Sequence, residues 1–275
     1  MNRTLALPMR PKTTFPVLLL TTVLATLLSL PLAAATATVA AATNFRATLN
    51  TLVATFERTS PHRLRLVSSS TGVLYNQILH GAPFDLLLAA DSEHPLLLEK
   101  NALGHAGSRF TYATGTLALV FTLPPIQALD SAHPQPAFAA LLGDSVGKIA
   151  LANPALAPYG LASRQILKHL GLWQSLQSRL VMGNSVAQSH QFVATGNSPL
   201  GFIALAQAYS SRPALPYWPV PPSWHRPIQQ QAILLQSGHS NPAAVDFHRF
   251  LSSPVAVAII RGDGYLVATT TEKGQ

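Results

Sequence analysis

Ala40-Ala41-Ala42-Thr43-Asn44-Phe45 marks the point where a short apolar run gives way to a helical pattern. Residues 38–42 have the composition of a buried strand, and residues 47–58 carry apolar side chains at helical spacing. A second hydroxyl cluster, Ser68-Ser69-Ser70-Thr71-Gly72, follows a second predicted strand at residues 63–68. The hydroxyls and the free N–H groups of two helix starts could therefore converge on one anion. This pattern indicates capture of a ligand rather than catalysis.

The first 35 residues have the three parts of a secretory signal peptide. A basic front precedes an apolar run at residues 15–32, and the small residues Ala33-Ala34-Ala35 follow it. The basic residues are Arg3, Arg10 and Lys12. An uncleaved anchor is the alternative, because the run approaches the roughly 18 residues of a membrane span. Cleavage is favoured because no basic stop-transfer cluster follows, so we expect a mature periplasmic chain that begins near Thr36.

Composition narrows the possible classes of protein further. The chain contains no cysteine, which argues against a disulfide framework, a thiolate metal site and a lipid-modified N-terminus. Loss of the signal peptide lowers the formal net charge from +8 to +5 and leaves about 240 residues, enough for one large domain or two lobes. Lys and Arg are scattered singly rather than gathered with aromatic residues, so we expect no nucleic-acid binding.

Strand-like and helical patterns alternate along the whole mature chain, which is typical of an α/β fold with parallel pairing. A second unit begins near Thr116, after a crossing that contains a glycine. We therefore predict two lobes, residues 36–115 plus 229–275 and residues 116–228, each a mainly parallel sheet flanked by helices. Two crossings would join them around a hinged cleft. The proline-rich segment at residues 213–227 is predicted to contain no regular element.

Seven ordered blocks of this chain resemble the periplasmic molybdate- and tungstate-binding proteins that feed ABC transporters, and they cover essentially the whole mature sequence. The blocks are Ala42-Thr43-Asn44-Phe45, Ser69-Ser70-Thr71-Gly72, Gly81-Ala82-Pro83-Phe84-Asp85, Gly107-Ser108-Arg109-Phe110-Thr111-Tyr112, Asn153-Pro154 with Ala157-Pro158-Tyr159-Gly160, Asn184-Ser185-Val186 and Leu200-Gly201-Phe202.

The resemblance implies a two-lobed periplasmic binding protein type II fold that closes over one tetrahedral oxyanion. Carried over residue by residue, the ligating positions are Thr43, Asn44, Ser70, Thr71, Tyr159 and Val186. Tyr159 and Val186 would present backbone N–H groups. The resemblance further implies no enzymatic activity, no cofactor, no bare metal ion, a monomer in the periplasm, and a membrane permease with its ATPase as partners.

The chain departs from the family pattern in its two hydroxyl loops. Ser69 stands where the family usually has glycine, and Thr71 where it has a second serine, which adds a methyl group beside the anion. Thr43 replaces a serine, a form that one branch of the family shares. A ligating tyrosine of another branch aligns with Ala204. Alanine has no hydroxyl, so Ala204 is not counted among the ligating positions.

A lining of uncharged donors suits a tetrahedral dianion because its four oxygens only accept hydrogen bonds. Each helix N-terminus adds roughly half a positive charge. A protonated phosphate would need an acceptor, and an unpaired buried donor costs roughly 1 to 3 kcal/mol. Sulfate has the same charge and shape as molybdate, so the site can discriminate between the two only by the smaller size of sulfate.

Five alternatives stay open at this point. Residues 143–147 fit the G-x-S-x-G pattern of a serine hydrolase with Ser145 as nucleophile, although a strand follows the motif where a helix should. The ten histidines suggest a metal-binding site as an alternative, but no two of them have H-x-x-x-H spacing. The protein could instead carry sulfate or thiosulfate, or act as a sensory receptor. Taken singly, Thr43 and Thr71 could be ordinary helix caps.

Overall fold

The computed structural model describes residues 34–122, 135–136, 142 and 147–267. The predicted signal peptide lies outside the described residues except for its last two positions. Ser145 also lies outside them, as does the rest of its motif apart from Gly147.

The described residues form ten strands and eight α-helices. The strands are β1 (Thr36–Ala42), β2 (Arg63–Ser69), β3 (Leu86–Ala89), β4 (Phe110–Gly115), β5 (Leu117–Phe121), β6 (Ile149–Ala152), β7 (Leu180–Gly183), β8 (Leu200–Ala204), β9 (Tyr217–Pro219) and β10 (Ile228–Leu234). The helices are α1 (Arg46–Thr59), α2 (Thr71–Leu79), α3 (Glu93–Lys100), α4 (Pro158–His169), α5 (Val186–Ala194), α6 (Leu205–Ser210), α7 (Pro242–Phe250) and α8 (Pro254–Gly262).

Two five-stranded sheets organise the molecule, in the orders β2-β1-β3-β10-β4 and β7-β6-β8-β5-β9. In the first sheet β1 is parallel to β2 and β3, whereas β10 is antiparallel to β3 and β4. In the second sheet β6 is parallel to β7 and β8, whereas β5 is antiparallel to β8 and β9. Among the described residues no strand pairing connects the two sheets, so each is the centre of one lobe.

The chain passes from the first sheet to the second between β4 and β5, and returns between β9 and β10. The predicted two-lobed α/β fold is therefore confirmed, with the refinement that both sheets are mixed rather than mainly parallel. In each sheet the strand that the chain enters after a crossing, β10 in the first and β5 in the second, runs against its two neighbours, which accounts for the mixture. The lobe boundaries given above stay a prediction.

The proline-rich segment differs from its prediction. Residues 217–219 form β9, and Pro222–Trp224 form a turn of 3-10 helix. The prediction of no regular element was wrong because β9 is an edge strand that pairs only with β5. Proline is tolerated on an edge, where its missing N–H faces away from the ladder.

Each sheet is covered on both faces by apolar packing. On the first sheet, α1, α7 and α8 pack around Phe45, whose ring centroid lies 4.8 Å from that of Tyr112 and 5.4 Å from that of Tyr265. Leu74 and Leu98 bring α2 and α3 onto the opposite face. The second sheet has its own core beneath α4, α5 and α6.

No single helix in the described ranges is long and apolar enough to cross a membrane. The pair α7 and α8 has the length and composition for a span only when taken together, and it is bent by 64°.

Candidate anion-binding site

A small cavity of about 180 Å³ lies between the two lobes. Its lining is Ala42, Thr43, Asn44, Ser70, Thr71 and Ala90 from the first lobe, and Ala157, Pro158, Tyr159 and Val186 from the second. All six residues predicted from the sequence therefore meet at one place, and none of the ten lining residues carries a charge. Their role as ligands stays a prediction.

Four helix starts surround this cavity, each in the connection that follows a strand: Thr43 and Thr71 come one and two residues after β1 and β2, whereas Tyr159 and Val186 come seven and three residues after β6 and β7. Thr43 begins a 3-10 turn that continues into α1, Thr71 is the first residue of α2, Tyr159 is the second of α4, and Val186 is the first of α5. The first N–H groups of a helix have no partner within that helix. Each start also carries roughly half a positive charge. Converging starts can stabilise an anion without any cationic side chain.

Ser70 supplies a hydroxyl that the protein itself does not use. It occupies the N-cap position of α2 with extended backbone (φ −70°, ψ 152°), yet its side chain makes no capping hydrogen bond. Only 3% of Ser70 is exposed, and Oγ has no hydrogen-bond partner in the described part of the chain. Buried polar groups are almost always paired. An unpaired hydroxyl that lines the cavity therefore points to a ligand.

Thr71 has a hydroxyl that is held in place with its proton free. Its Oγ1 atom accepts a hydrogen bond of 2.9 Å from the backbone N–H of Ala90. Since a hydroxyl can donate one bond while it accepts others, the proton remains available for a ligand. The N-cap residues of the two helix starts are Ala42 and Ser70, so neither Thr43 nor Thr71 is a helix cap.

The side-chain amide of Asn44 is already bonded within the protein. Its Nδ2 donates to Oε1 of Gln230 at 2.8 Å and to Oη of Tyr265 at 3.2 Å. Tyr265 in turn donates to the backbone oxygen of Asn44 at 2.8 Å. The Oδ1 atom of Asn44 is buried without a partner among the described residues. The side chain thus gives the cavity no donor, and Asn44 can contribute only through its backbone N–H.

Gln230 links the two lobes behind the cavity. Besides Asn44, its Oε1 accepts from Oη of Tyr112 at 3.1 Å, and its Nε2 donates to Oη of Tyr159, on the other lobe, at 3.2 Å. Burial raises the pKa of Tyr112, Tyr159 and Tyr265, so all three stay neutral at physiological pH. No motif in the sequence indicated this network.

A wide groove of about 1480 Å³ borders the cavity and shares Thr43 and Asn44 with it. Among the described residues that line the groove, Arg46 is the one permanently charged side chain, and burial lowers the pKa of His190, which also lines it. On the side of Pro158, by contrast, two neighbouring hollows are both lined by the carboxylates of Asp91 and Glu93, which outnumber the one permanent cation among their described lining residues, Arg226. The groove with Arg46 is the electrostatically favourable route for an anion.

No group of three or more histidine, aspartate or glutamate side chains that could hold a metal ion occurs among the described residues. The described histidines make other contacts. His190 Nε2 lies 2.8 Å from Oγ of Ser211, and His248 Nε2 lies 2.7 Å from the backbone oxygen of Ser108.

The comparisons with known proteins agree with this architecture. The chain is 42% identical over 234 residues to the molybdate-binding protein ModA of Azotobacter vinelandii, which covers 84% of this chain and 90% of that protein. It is 35% identical over 239 residues to ModA of Rhodobacter capsulatus, covering 87% and 91%. The solved structure of an Azotobacter vinelandii periplasmic molybdate-binding protein matches with a TM-score of 0.77 and 38% identity, covering 84% of this chain and 99% of that one.

The sequence profile of the family described as bacterial extracellular solute-binding protein matches residues 37–266. This match covers both sheets and all four helix starts around the cavity. The chain therefore belongs to the bacterial extracellular solute-binding proteins.

Proposed function

We propose that this protein captures molybdate, and equally its analogue tungstate, in the cavity between its lobes and delivers the anion to an ABC importer. The observation that carries the proposal is a cavity lined by uncharged groups from both lobes, with the unpaired hydroxyl of Ser70 among them. The names of the relatives that are 42% and 35% identical support the same ligand.

The donors match the chemistry of the ligand. Molybdate is a dianion whose oxygens only accept hydrogen bonds, and a carboxylate in the lining would repel it. The proposed donors are the backbone N–H groups of Thr43, Asn44, Tyr159 and Val186 with the hydroxyls of Thr43, Ser70 and Thr71. Hydrogen bonds to a charged group are worth roughly 1.5 to 3 kcal/mol each, so a few of them suffice for tight but reversible binding.

The biological setting is part of the proposal. The protein would act in the periplasm as a monomer after cleavage of its signal peptide, without enzymatic activity and without a cofactor. Its macromolecular partners would be a membrane permease and the ATPase of that permease. Relatives that are solute-binding proteins support this assignment.

Calorimetry on the processed protein with molybdate, tungstate, sulfate and phosphate tests the proposal. We expect tight binding of molybdate and tungstate, weaker binding of sulfate and no binding of phosphate. Displacement of molybdate by sulfate at a comparable concentration would make the protein a sulfate carrier instead. Heat with zinc or iron but none with molybdate would make it a metal carrier.

A further inference from the structure

A main-chain hydrogen bond joins the two lobes directly beside the cavity. The N–H of Gly72, the second residue of α2, donates to the backbone oxygen of Leu156 at 3.0 Å. Gly72 follows the lining residue Thr71, and Leu156 precedes the lining residue Ala157. This contact therefore sets the distance between two of the walls that would face the anion.

The approach at this point is possible only because residue 72 is glycine. A Cβ atom added there would lie 2.9 Å from the oxygen of Leu156, 3.4 Å from its Cα and 3.5 Å from its carbonyl carbon. These three nearest atoms are all backbone atoms of the opposite lobe, and none belongs to the lobe of Gly72 itself. Gly72 is therefore required for the contact between lobes rather than for the fold of its own lobe.

Leu156 is held firmly enough to limit how closely the two lobes can approach each other, and we call this contact the stop. Its N–H donates to the backbone oxygen of Asn153 at 3.0 Å, as does that of Ala157 at 2.9 Å. The Oδ1 atom of Asn153 accepts from the N–H of Ala155 at 2.9 Å. A backbone oxygen fixed by this turn cannot rotate away from a new methyl group, unlike the end of a flexible side chain.

We propose that the Gly72–Leu156 contact is the stop that fixes the lobe separation, which makes Gly72 a determinant of selectivity for anion size. The cavity is small, about 180 Å³, so a small change in the separation of the lobes changes which anion fits. The inference rests on the proposed function and names the feature that would exclude the smaller sulfate ion. Donors fixed at this separation reach a larger tetrahedron at full strength and hold a smaller one by stretched bonds.

Gly72→Ala tests the proposal because it moves the stop outward by about half an ångström, the distance needed to restore ordinary contact. The matched control is Gly262→Ala at the end of α8, where an added Cβ meets no atom within 4 Å. We expect Gly72→Ala to weaken molybdate binding about 3- to 10-fold, as for one lost interlobe hydrogen bond, mainly through faster dissociation. The affinity for sulfate should fall more than the affinity for molybdate. The dissociation constant for sulfate divided by that for molybdate should therefore rise.

Two further readouts separate this role from a general loss of stability. The melting temperature of the ligand-free variant should be no lower than that of the wild type, because separated lobes avoid the clash and alanine is favoured over glycine within a helix. Crystal structures with bound molybdate should show a longer distance between the nitrogen of residue 72 and the backbone oxygen of Leu156 in the variant than the 3.0 Å of the wild type. An unchanged dissociation rate together with an unchanged ratio of sulfate to molybdate affinity would overturn the proposal. Failure of the wild type to bind any oxyanion would instead refute the proposed function.

Discussion

Replacement of Ser70 by alanine should separate ligand affinity from protein stability. The loss of one hydrogen bond to a charged ligand is worth roughly 1.5 to 3 kcal/mol, which corresponds to an increase of about 10- to 150-fold in the dissociation constant for molybdate. Alanine at an N-cap usually destabilises a helix by about 0.5 to 2 kcal/mol. That cost does not apply at Ser70, because its side chain makes no capping bond.

The free protein should therefore tolerate Ser70→Ala. Removal of a buried hydroxyl that has no partner among the described residues leaves the free energy of unfolding unchanged or higher. Calorimetry with molybdate and urea denaturation without it measure the two quantities. The control is Ser69→Ala, one residue away in β2 and outside the cavity lining, which should change neither affinity nor selectivity. Unchanged affinity in Ser70→Ala, or a parallel loss of affinity and stability, would refute the assignment of the Ser70 hydroxyl to the ligand.

Three other predictions follow from the surroundings of the cavity. Arg46→Gln should lower the association rate constant for molybdate and flatten its dependence on ionic strength in stopped-flow fluorescence, while Arg58→Gln, about 18 Å further along α1, should not. Gln230→Leu should lower the free energy of unfolding in urea by about 1 to 3 kcal/mol, because it removes a buried residue with three hydrogen-bond partners. The three buried tyrosines keep their protons when the unfolded chain loses them near pH 10, so stability to urea should fall as pH rises above about 10, and a flat profile would contradict their neutral burial.

The parts of the site that depend on local sequence were predictable. In the first lobe the two helix starts follow short apolar runs at a distance of one or two residues, so the hydroxyls of Thr43 and Thr71 could be placed at the carboxyl end of a sheet. The family blocks then indicated Tyr159 and Val186 on the other lobe. Helical periodicity and strand composition need only neighbouring residues, and this explains why these elements were found.

The network behind the cavity was not predictable from the sequence. Asn44 and Gln230 are 186 residues apart, and a glutamine within a strand carries no signal of an interlobe hydrogen bond. The same holds for the side chain of Asn44, since only the folded structure shows that its amide protons are taken by Gln230 and Tyr265. Long-range polar contacts depend on how the two lobes meet, which local patterns do not encode.

The position of the metal atom in crystals grown with molybdate, located by anomalous diffraction at the molybdenum edge, tests the central claim most directly. We predict one peak between the lobes, with the oxygens of the anion about 2.7 to 3.1 Å from the hydroxyls of Ser70 and Thr71 and from the backbone nitrogens of Tyr159 and Val186. A peak held by Arg46 in the outer groove, or an anion in contact with a carboxylate, would contradict the claim that uncharged donors from both lobes bind the ligand.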